Sequence, residues 1–123
     1  MRKAVQDYRD LVVWQKAMEL VPLVYRQAKK LPRDETYALS AQIRRAAVSV
    51  PANVAEGHSR RHTRKFLQYI SIARGSLAEL STLLEIAVRL EYVQAKEIHL
   101  LQDRIVEIRR LTAGLMNSLA ASS

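Results

Sequence analysis

The most basic stretch of the chain is residues 58–65, HSRRHTRK, where cationic, hydroxyl and imidazole side chains are mixed. Side chains of these types contact the phosphate oxygens of nucleic acids, and a helix that starts nearby adds backbone N–H donors. No motif that reads bases is present and aromatic residues make up only 6% of the chain, so such contacts would be to the backbone and its shape. A solvated, charge-rich turn accounts for the same residues equally well. The candidate phosphate-binding residues of this basic corner are Arg60, Arg61, Arg64 and Lys65.

The charge of the whole chain favours a polyanionic partner. Twenty Lys and Arg against twelve Asp and Glu give a net charge of +8, and the isoelectric point is about 10.2. Such a balance indicates nucleic acid first and an acidic membrane surface or protein second, although many small proteins are basic without binding a polyanion. Three cations on the flanking helices complete the candidate nucleic-acid-binding set: Arg44, Arg45 and Arg74.

A metal site or an acid–base site has little support in the sequence. His58 and His62 are four residues apart, but the surrounding arginines oppose a cation and no nearby carboxylate completes a site. The chain has no cysteine, no HExxH pattern and no glycine-rich phosphate loop. We interpret Glu56 and Glu79 as structural residues that accept hydrogen bonds from the backbone, Ser or Arg. We therefore expect no metal, no cofactor and no enzymatic activity.

Residues 42–79 carry small side chains at helical spacing on both sides of the basic corner. Small residues let two helix backbones approach closely, below the upper end of the usual ~8–10 Å interaxial range. Polar residues among them need partners when they are buried, and the three helix arginines are in register to pair with the two glutamates. The stretch therefore predicts a tight helix pair tied by hydrogen bonds, with Gly75 in the close contact and Gly57 ending the helix. The residues of this structural motif are Ser49, Pro51, Asn53, Glu56, Gly57, Gly75, Ser76 and Glu79.

Apolar residues recur at three- and four-residue steps in four segments, which predicts an all-α fold. We expect one domain over residues 1–123, an antiparallel up-down-up-down four-helix bundle. Pro22 and Pro51 fall inside the first and second segments, and each should kink its helix rather than end it. The helices are expected at residues 11–30, 34–57, 63–90 and 94–120.

The same periodicity assigns the inward faces of the helices. Trp14, the only tryptophan, is expected to anchor the core from the first helix, and Tyr37 should face inward on the second. Asp10 and Thr63 are the expected N-caps of the first and third helices. The predicted apolar stripe of the first helix is Leu11, Trp14, Met18, Val21, Tyr25 and Ala28.

Nothing in the sequence directs the chain to a membrane. The N-terminal residues MRKAVQDYRD have no apolar stretch that would serve as a signal peptide. No window approaches the ~18 uninterrupted apolar residues of a membrane span, and the absence of cysteine leans towards a reducing compartment. We therefore expect a soluble, cytoplasmic protein with no membrane partner.

Five segments, taken in order, resemble a known family. They are DLVVWQKA at residues 10–17, LP at 31–32, QIRRAAVSVPANVAEG at 42–57, the basic corner, and IARGSLAEL at 72–80. Together they resemble the bacterial four-helix-bundle proteins first noted in the intervening sequences of 23S ribosomal RNA genes. The resemblance covers about residues 8–92, and the last helix fits by its length and amphipathicity.

The resemblance implies a left-handed up-down-up-down bundle that assembles as a homopentamer, a ring with a central opening. It also implies kinship with the accessory proteins of diversity-generating retroelements, which are basic pentamers that bind nucleic acid and a reverse transcriptase. It implies no enzymatic activity, and the molecular role of the intervening-sequence group is not established. A pentamer would repeat the basic corner five times, and summed phosphate contacts would give strong, salt-sensitive binding.

Two function hypotheses follow from the residues and the resemblance. The first is a non-enzymatic, basic, oligomeric protein that binds nucleic acid, with structured RNA favoured, through phosphate contacts. The second is a protein-interaction scaffold whose affinity for polyanions is incidental. Recovery of one stoichiometric protein partner after nuclease treatment would favour the second hypothesis.

Overall fold

Four long helices make up most of the protein. The computed structural model describes residues 6–122, in which two short 3₁₀ helices, Tyr8–Asp10 and Arg33–Glu35, precede the first and second long helices. Over these residues there is no β-strand, and none of the helices combines the length and the apolar composition of a membrane span. The long helices are α1 at Val12–Ala28, α2 at Leu39–Ser59, α3 at Thr63–Arg89 and α4 at Ala95–Ser122.

The helices pack as a bundle in which each contacts its neighbours in sequence and α4 closes back against α1. Arg74 of α3 bonds Thr112 of α4, whereas Ser81, further along α3, bonds Gln102. Because the partners on α4 run backwards as α3 runs forwards, the two helices are antiparallel. The short connections impose the same relation on the other sequence neighbours. The all-α four-helix bundle expected from the hydrophobic periodicity is therefore confirmed.

The core between the helices is almost entirely aliphatic. Burying one such side chain stabilises the fold by roughly 1.5–3 kcal/mol, so this shared interior fixes the helices together. Thr112 is also fully buried, and its hydroxyl donates to the Arg109 carbonyl oxygen at 2.7 Å, as a buried polar group requires. Fully buried core residues from the four helices include Val24, Val50, Val54, Ile70, Leu77, Leu80 and Ile108.

The inward face of α1 differs from the predicted one. Met18 and Tyr25 are exposed, and Trp14 is only half-buried. Trp14 instead packs edge-to-face against Tyr8, with ring centroids 5.4 Å apart. The helix carries apolar residues on two adjacent stripes, both with three- and four-residue spacing, so periodicity alone does not choose between them. The buried stripe is Val13, Ala17, Leu20, Val24 and Ala28.

The second helix begins at Leu39, later than the predicted residue 34. Glu35 lies in the preceding 3₁₀ helix, and its carboxylate accepts bonds from the Leu39 N–H at 3.2 Å and the Tyr92 hydroxyl at 2.8 Å. The hydrogen bond to Glu35 raises the pKa of Tyr92. Tyr37, predicted to face inward, therefore lies in a turn and is 94% exposed.

Other helix ends also differ from the predicted ones. The Asp10 carboxylate accepts the N–H groups of Gln6 and Asp7, capping the short 3₁₀ helix rather than α1. Both α1 and α2 continue through their internal prolines. No glycine has a positive φ, so Gly57 does not end α2 by a left-handed turn, and the helix extends to Ser59.

Gly57 allows a close approach of α2 and α3. A Cβ atom at this position would lie 2.6 Å from Tyr69 Cβ and 3.0 Å from Phe66 Cδ1, closer than side chains pack. Gly75 is exposed, and a Cβ atom there would meet no atom within 4 Å. Within the chain, the prediction that Gly75 lies in the close contact is wrong, and Gly57 occupies that contact instead.

The two glycines form a matched pair for a stability test. Gly57→Ala should lower the free energy of unfolding by roughly 1–2 kcal/mol, because the clash with Tyr69 outweighs the gain in helix propensity. Gly75→Ala should raise it by about 0.5–1 kcal/mol, since the new methyl group meets no other atom of the chain within 4 Å. Urea denaturation of both variants beside the wild type measures the two changes. A Gly57→Ala variant as stable as the wild type would contradict the close approach.

Candidate nucleic-acid interface

The basic corner joins α2 to α3 through a turn of three residues, 60–62. Arg61 has a φ of 53°, in the left-handed region that residues other than glycine rarely adopt. In this conformation its N–H bonds the His58 carbonyl oxygen at 3.2 Å, which satisfies a free carbonyl at the end of α2. The chain thus reverses direction sharply, and the side chains of the turn point away from the core.

The histidines of the corner have separate structural partners. His62, rather than Thr63, is the N-cap of α3, and its Nδ1 accepts the N–H of Lys65 at 3.4 Å. His58 packs edge-to-face against Phe66, with centroids 5.6 Å apart. Over residues 6–122, no group of three or more His, Cys, Asp or Glu side chains has the arrangement of a metal site.

The four cations of the corner differ in how far their charge is neutralised. Arg60 donates to Glu56 at 2.7 Å and to the Tyr69 hydroxyl at 3.1 Å. The hydrogen bond that Arg60 donates to Glu56 raises the pKa of Arg60 above its ordinary value. The other three are exposed and form no ion pair with any described residue: Arg61, Arg64 and Lys65.

A cleft of about 630 Å³ opens beside Arg61, on the side where α3 faces α4. Phe66 and Leu119 form an apolar floor, while Arg61, His62 and Thr63 supply polar groups at the rim. A cleft with apolar walls and a few polar groups that converge on it is the usual form of a ligand site. The chemistry here suits a phosphate at the rim with a ribose or base against the floor.

Two of the candidate arginines lie far from the corner. Arg44 and Arg45 precede Arg60 on α2 by about 24 Å at 1.5 Å per residue, towards the other end of the bundle. Arg44 is half-buried and donates to the Thr36 carbonyl oxygen at 3.1 Å, so part of its donor capacity is used within the fold. Arg45 is exposed.

Arg74, the last candidate, lies on the side of α3 that faces α4. It donates to the Arg109 carbonyl oxygen at 2.8 Å and to the Thr112 hydroxyl at 2.9 Å. The seven candidate cations therefore do not form one patch. Three unpaired cations and the cleft are gathered at the corner, and the remaining candidates are paired or lie elsewhere.

The structural motif ties α2 to α3 about three helical turns away from the corner. The hydroxyls of Ser49 and Ser76 are 2.7 Å apart, and the Asn53 amide donates to the Ser49 carbonyl and hydroxyl oxygens at 2.7 and 2.9 Å. This is the hydrogen-bonded helix pair that the small-residue pattern predicts. Pro51, on the same stretch of α2, is buried.

The two glutamates of the motif lie outside this network, and both are exposed. Glu56 pairs with Arg60 at 2.7 Å, and Glu79 forms no hydrogen bond or ion pair with any described residue. The predicted pairing of these glutamates with the helix arginines is therefore wrong. A surface pair such as Glu56–Arg60 contributes only about 0.3–0.5 kcal/mol, so Glu56 is less important for stability than its position in the sequence indicates.

Comparison with known proteins identifies the family. The sequence model of the 23S rRNA-intervening sequence proteins matches residues 9–114. The chain belongs to this family. It is also similar to a crystal structure of a protein of unknown function from the S23 ribosomal protein family of Bacteroides thetaiotaomicron. That likeness has a TM-score of 0.78 at 24% sequence identity and covers 85% of this chain and 98% of the other, so the two share a fold. No curated protein matches the chain.

Two features of the corner in this family member were not predicted from the sequence. One is the left-handed conformation of Arg61. Helices commonly end in a left-handed glycine, and the only signal in the sequence is that no glycine directly follows α2, so another residue takes that conformation. The other is the floor of the cleft, because Leu119 reaches Phe66 only through the packing of α4 on α3. Because Phe66 and Leu119 are far apart in the sequence, the sequence alone does not show that they are neighbours.

Left-handed residues at two corners allow a second stability test. Arg61, with φ 53°, follows α2, and Glu91, with φ 65°, follows α3. Glu91→Gly should raise the free energy of unfolding by about 1 kcal/mol, because glycine adopts this conformation without strain and a negative charge leaves the negative end of α3. Arg61→Gly should stabilise less, since it removes a positive charge that suits the end of α2.

Thermal and urea denaturation of the two variants give the order of the effects. A larger gain for Arg61→Gly than for Glu91→Gly, or a loss of stability in both, would contradict the described geometry of the two corners.

Proposed function

We propose that this protein is non-enzymatic and binds nucleic acid, structured RNA foremost, through phosphate contacts at its basic corner, as a homo-oligomer in the cytoplasm. The observation that carries the proposal is the run of Arg61, Arg64 and Lys65 at one corner, exposed and without a carboxylate partner among the described residues. Of these three, Arg61 lines the cleft. Some cations elsewhere are paired, as Lys30 is with Glu97 at 2.6 Å. Uncompensated cations on a protein of charge +8 attract a polyanion.

The start of α3 adds donors to these cations. The first N–H groups of a helix have no partner within it, and they carry the positive end of the helix dipole. His62 satisfies the N–H of Lys65, while the Thr63 hydroxyl lines the cleft beside Arg61. A phosphate at the rim would meet a guanidinium, a hydroxyl and backbone donors together. Such contacts hold the nucleic-acid backbone and leave the base sequence unread, which favours recognition by shape.

Assembly would strengthen this binding, and we favour the pentamer that the family resemblance implies. Val48 and Ile72 are 42% and 51% exposed, next to the Ser49–Ser76 contact. Small exposed residues accompany them on α2 and α3. An apolar surface of small side chains suits close packing against a second copy, and each added copy would contribute another basic corner.

The assignment of the corner predicts a specific loss in the triple variant R61G/R64Q/K65Q. The slope of log affinity against log salt should fall in magnitude by about 2–3, at ~0.7–0.9 per phosphate contact. Fluorescence anisotropy with a labelled RNA hairpin measures the slope. Glycine is chosen at Arg61 because the left-handed backbone accepts it without strain.

The matched control for this experiment is R26Q/K29Q/R89Q. It removes the same charge from exposed positions near the ends of α1 and α3, at the opposite end of the bundle. We expect the magnitude of its salt slope to change by less than the ~0.7–0.9 of a single phosphate contact. Equal losses in both variants would mean that only net charge matters and would contradict the assignment.

The oligomer is tested by mass. Five copies of a 14.0 kDa chain give about 70 kDa, which native mass spectrometry or sedimentation equilibrium should detect. Val48→Glu combined with Ile72→Glu should yield monomers of unchanged helix content, because both side chains are exposed within the chain. A control at Val12 and Leu100, exposed at other sites, should leave the assembly intact. A monomeric wild type would refute the oligomer.

A second candidate function is a protein-interaction scaffold. The observation that favours it is the apolar exposure of Val48, Ile72 and above all Tyr37, which is 94% exposed, because exposed apolar patches mark protein contacts. A pull-down from the native host after nuclease treatment separates the candidates. One stoichiometric protein partner would support the scaffold, whereas recovery of nucleic acid alone before nuclease treatment would count against it.

A further inference from the structure

A second cationic cleft, of about 270 Å³, lies between α3 and α4. It contains no acidic lining residue, and its three arginines form no ion pair with any described residue. The sequence indicated only one of these arginines. We call it the arginine cleft, and its lining is Arg74 of α3 with Val106, Arg109, Arg110 and Ala113 of α4.

Arg74 is held in place before any ligand arrives. Its Nη1 donates to the Arg109 carbonyl oxygen at 2.8 Å and to the Thr112 hydroxyl at 2.9 Å. Thr112 is fully buried, and its hydroxyl donates in turn to the same carbonyl oxygen at 2.7 Å. The remaining nitrogens of the Arg74 guanidinium have no acceptor among the described residues. A guanidinium fixed in this way loses little further freedom when it binds an anion.

The α4 residues of the cleft fall on one helix face, because positions 106, 109, 110 and 113 follow the three- and four-residue spacing of a single stripe. On a neighbouring face of the same helix the charges are compensated. Arg104 lies 3.7 Å from Glu19, and Lys16 lies 3.9 Å from the same carboxylate. Arg110 also lines the adjoining cleft with Asp103 and Glu107, but it forms no ion pair with either. The like charges of the three arginines repel one another, and an anion in the arginine cleft would relieve this repulsion.

The arginine cleft and the cleft at the basic corner lie along the same seam. The corner cleft is lined by Phe66 of α3 and Leu119 of α4, and the arginine cleft by Arg74 and residues 106–113 of the same two helices. Phe66 and Arg74 are about 12 Å apart along α3. At ~3.4 Å per nucleotide along one strand of a duplex, this spacing corresponds to about four nucleotides.

We propose that the arginine cleft is a second phosphate-binding site, which takes the backbone of the same nucleic acid that the basic corner binds. The proposal rests on the proposed function and adds a direction to it: the nucleic acid lies along the α3–α4 seam. Arginine forks match phosphate oxygens in pairs of parallel hydrogen bonds. An extended acidic peptide advances by a similar ~3.3–3.6 Å per residue, so the preference for nucleic acid comes from the proposed function, and a poly-glutamate peptide is included in the test.

The test is the double variant R109Q/R110Q, with R26Q/R89Q as a control of equal charge. All four arginines are exposed, so neither variant should disturb the fold. With a labelled RNA hairpin, R109Q/R110Q should lower the magnitude of the salt slope by about 1.4–1.8. The ratio of wild-type to variant affinity should therefore be roughly tenfold smaller at 200 mM salt than at 50 mM salt. The control should show little of this change.

The outcomes separate this proposal from the one it rests on. If R109Q/R110Q keeps the wild-type salt slope while R61G/R64Q/K65Q has a smaller one, the proposal of a phosphate site in the arginine cleft is overturned. The assignment of the basic corner then stands. A wild type without salt-dependent RNA binding overturns both. If a labelled poly-glutamate peptide binds as tightly as the RNA and loses affinity in R109Q/R110Q by the same factor, the assignment to nucleic acid is overturned. Amide chemical shifts of Thr112 and Ala113 should move on RNA titration, and unmoved shifts overturn the cleft independently.

Discussion

The structure depends most on the close approach of α2 and α3 at the end of the bundle. Position 57 has no room for a side chain, since Tyr69 and Phe66 occupy the space where a Cβ atom would lie. The two helices are joined here by a turn of three residues, which contains the left-handed Arg61. The same turn directs cations away from the core. Packing between two helices therefore determines where the charge of the protein is displayed.

Pairing with carboxylates then selects which cations remain available. Arg60 is engaged by Glu56 and Tyr69, and Lys30, Lys16 and Arg104 have acidic neighbours. Other exposed cations, such as Arg89 of α3 and Lys96 of α4, are also unpaired. The corner and the arginine cleft differ from them in that several unpaired cations are grouped there. A net charge of +8 alone does not reveal this distribution, because solvent screens exposed charges separated by more than ~10 Å.

Much of the fold follows from the sequence, because helical periodicity and short connections leave few alternatives. Sequence-based prediction fails where the periodicity is ambiguous or where the packing of a neighbouring helix decides which residue is buried. On α1, two apolar stripes had the same spacing, and packing selected the one through Leu20 rather than the one through Met18. Gly57 and Gly75 are equivalent in a one-dimensional pattern, and only the position of Tyr69 distinguishes them.

The candidate site was harder to predict than the fold for the same reason. A run of cations in the sequence locates the basic corner, but it does not show that Glu56 neutralises Arg60 or that Leu119 forms part of a cleft. Arg109 and Arg110 read as surface residues of an amphipathic helix, and only the packing of α4 on α3 brings Arg74 to them. Contacts between distant segments of the chain carry this information.

The central claim, that the protein binds nucleic acid through several phosphates at once, is tested most directly on the unaltered protein. Nuclease-treated protein is titrated by fluorescence anisotropy against a structured RNA and a duplex DNA over a series of salt concentrations. A steep salt dependence, with affinity that survives at ~150 mM salt and is higher for the RNA, is the predicted result. Binding that is weak and vanishes by ~150 mM salt would contradict the claim, because it would show only diffuse attraction to a basic surface.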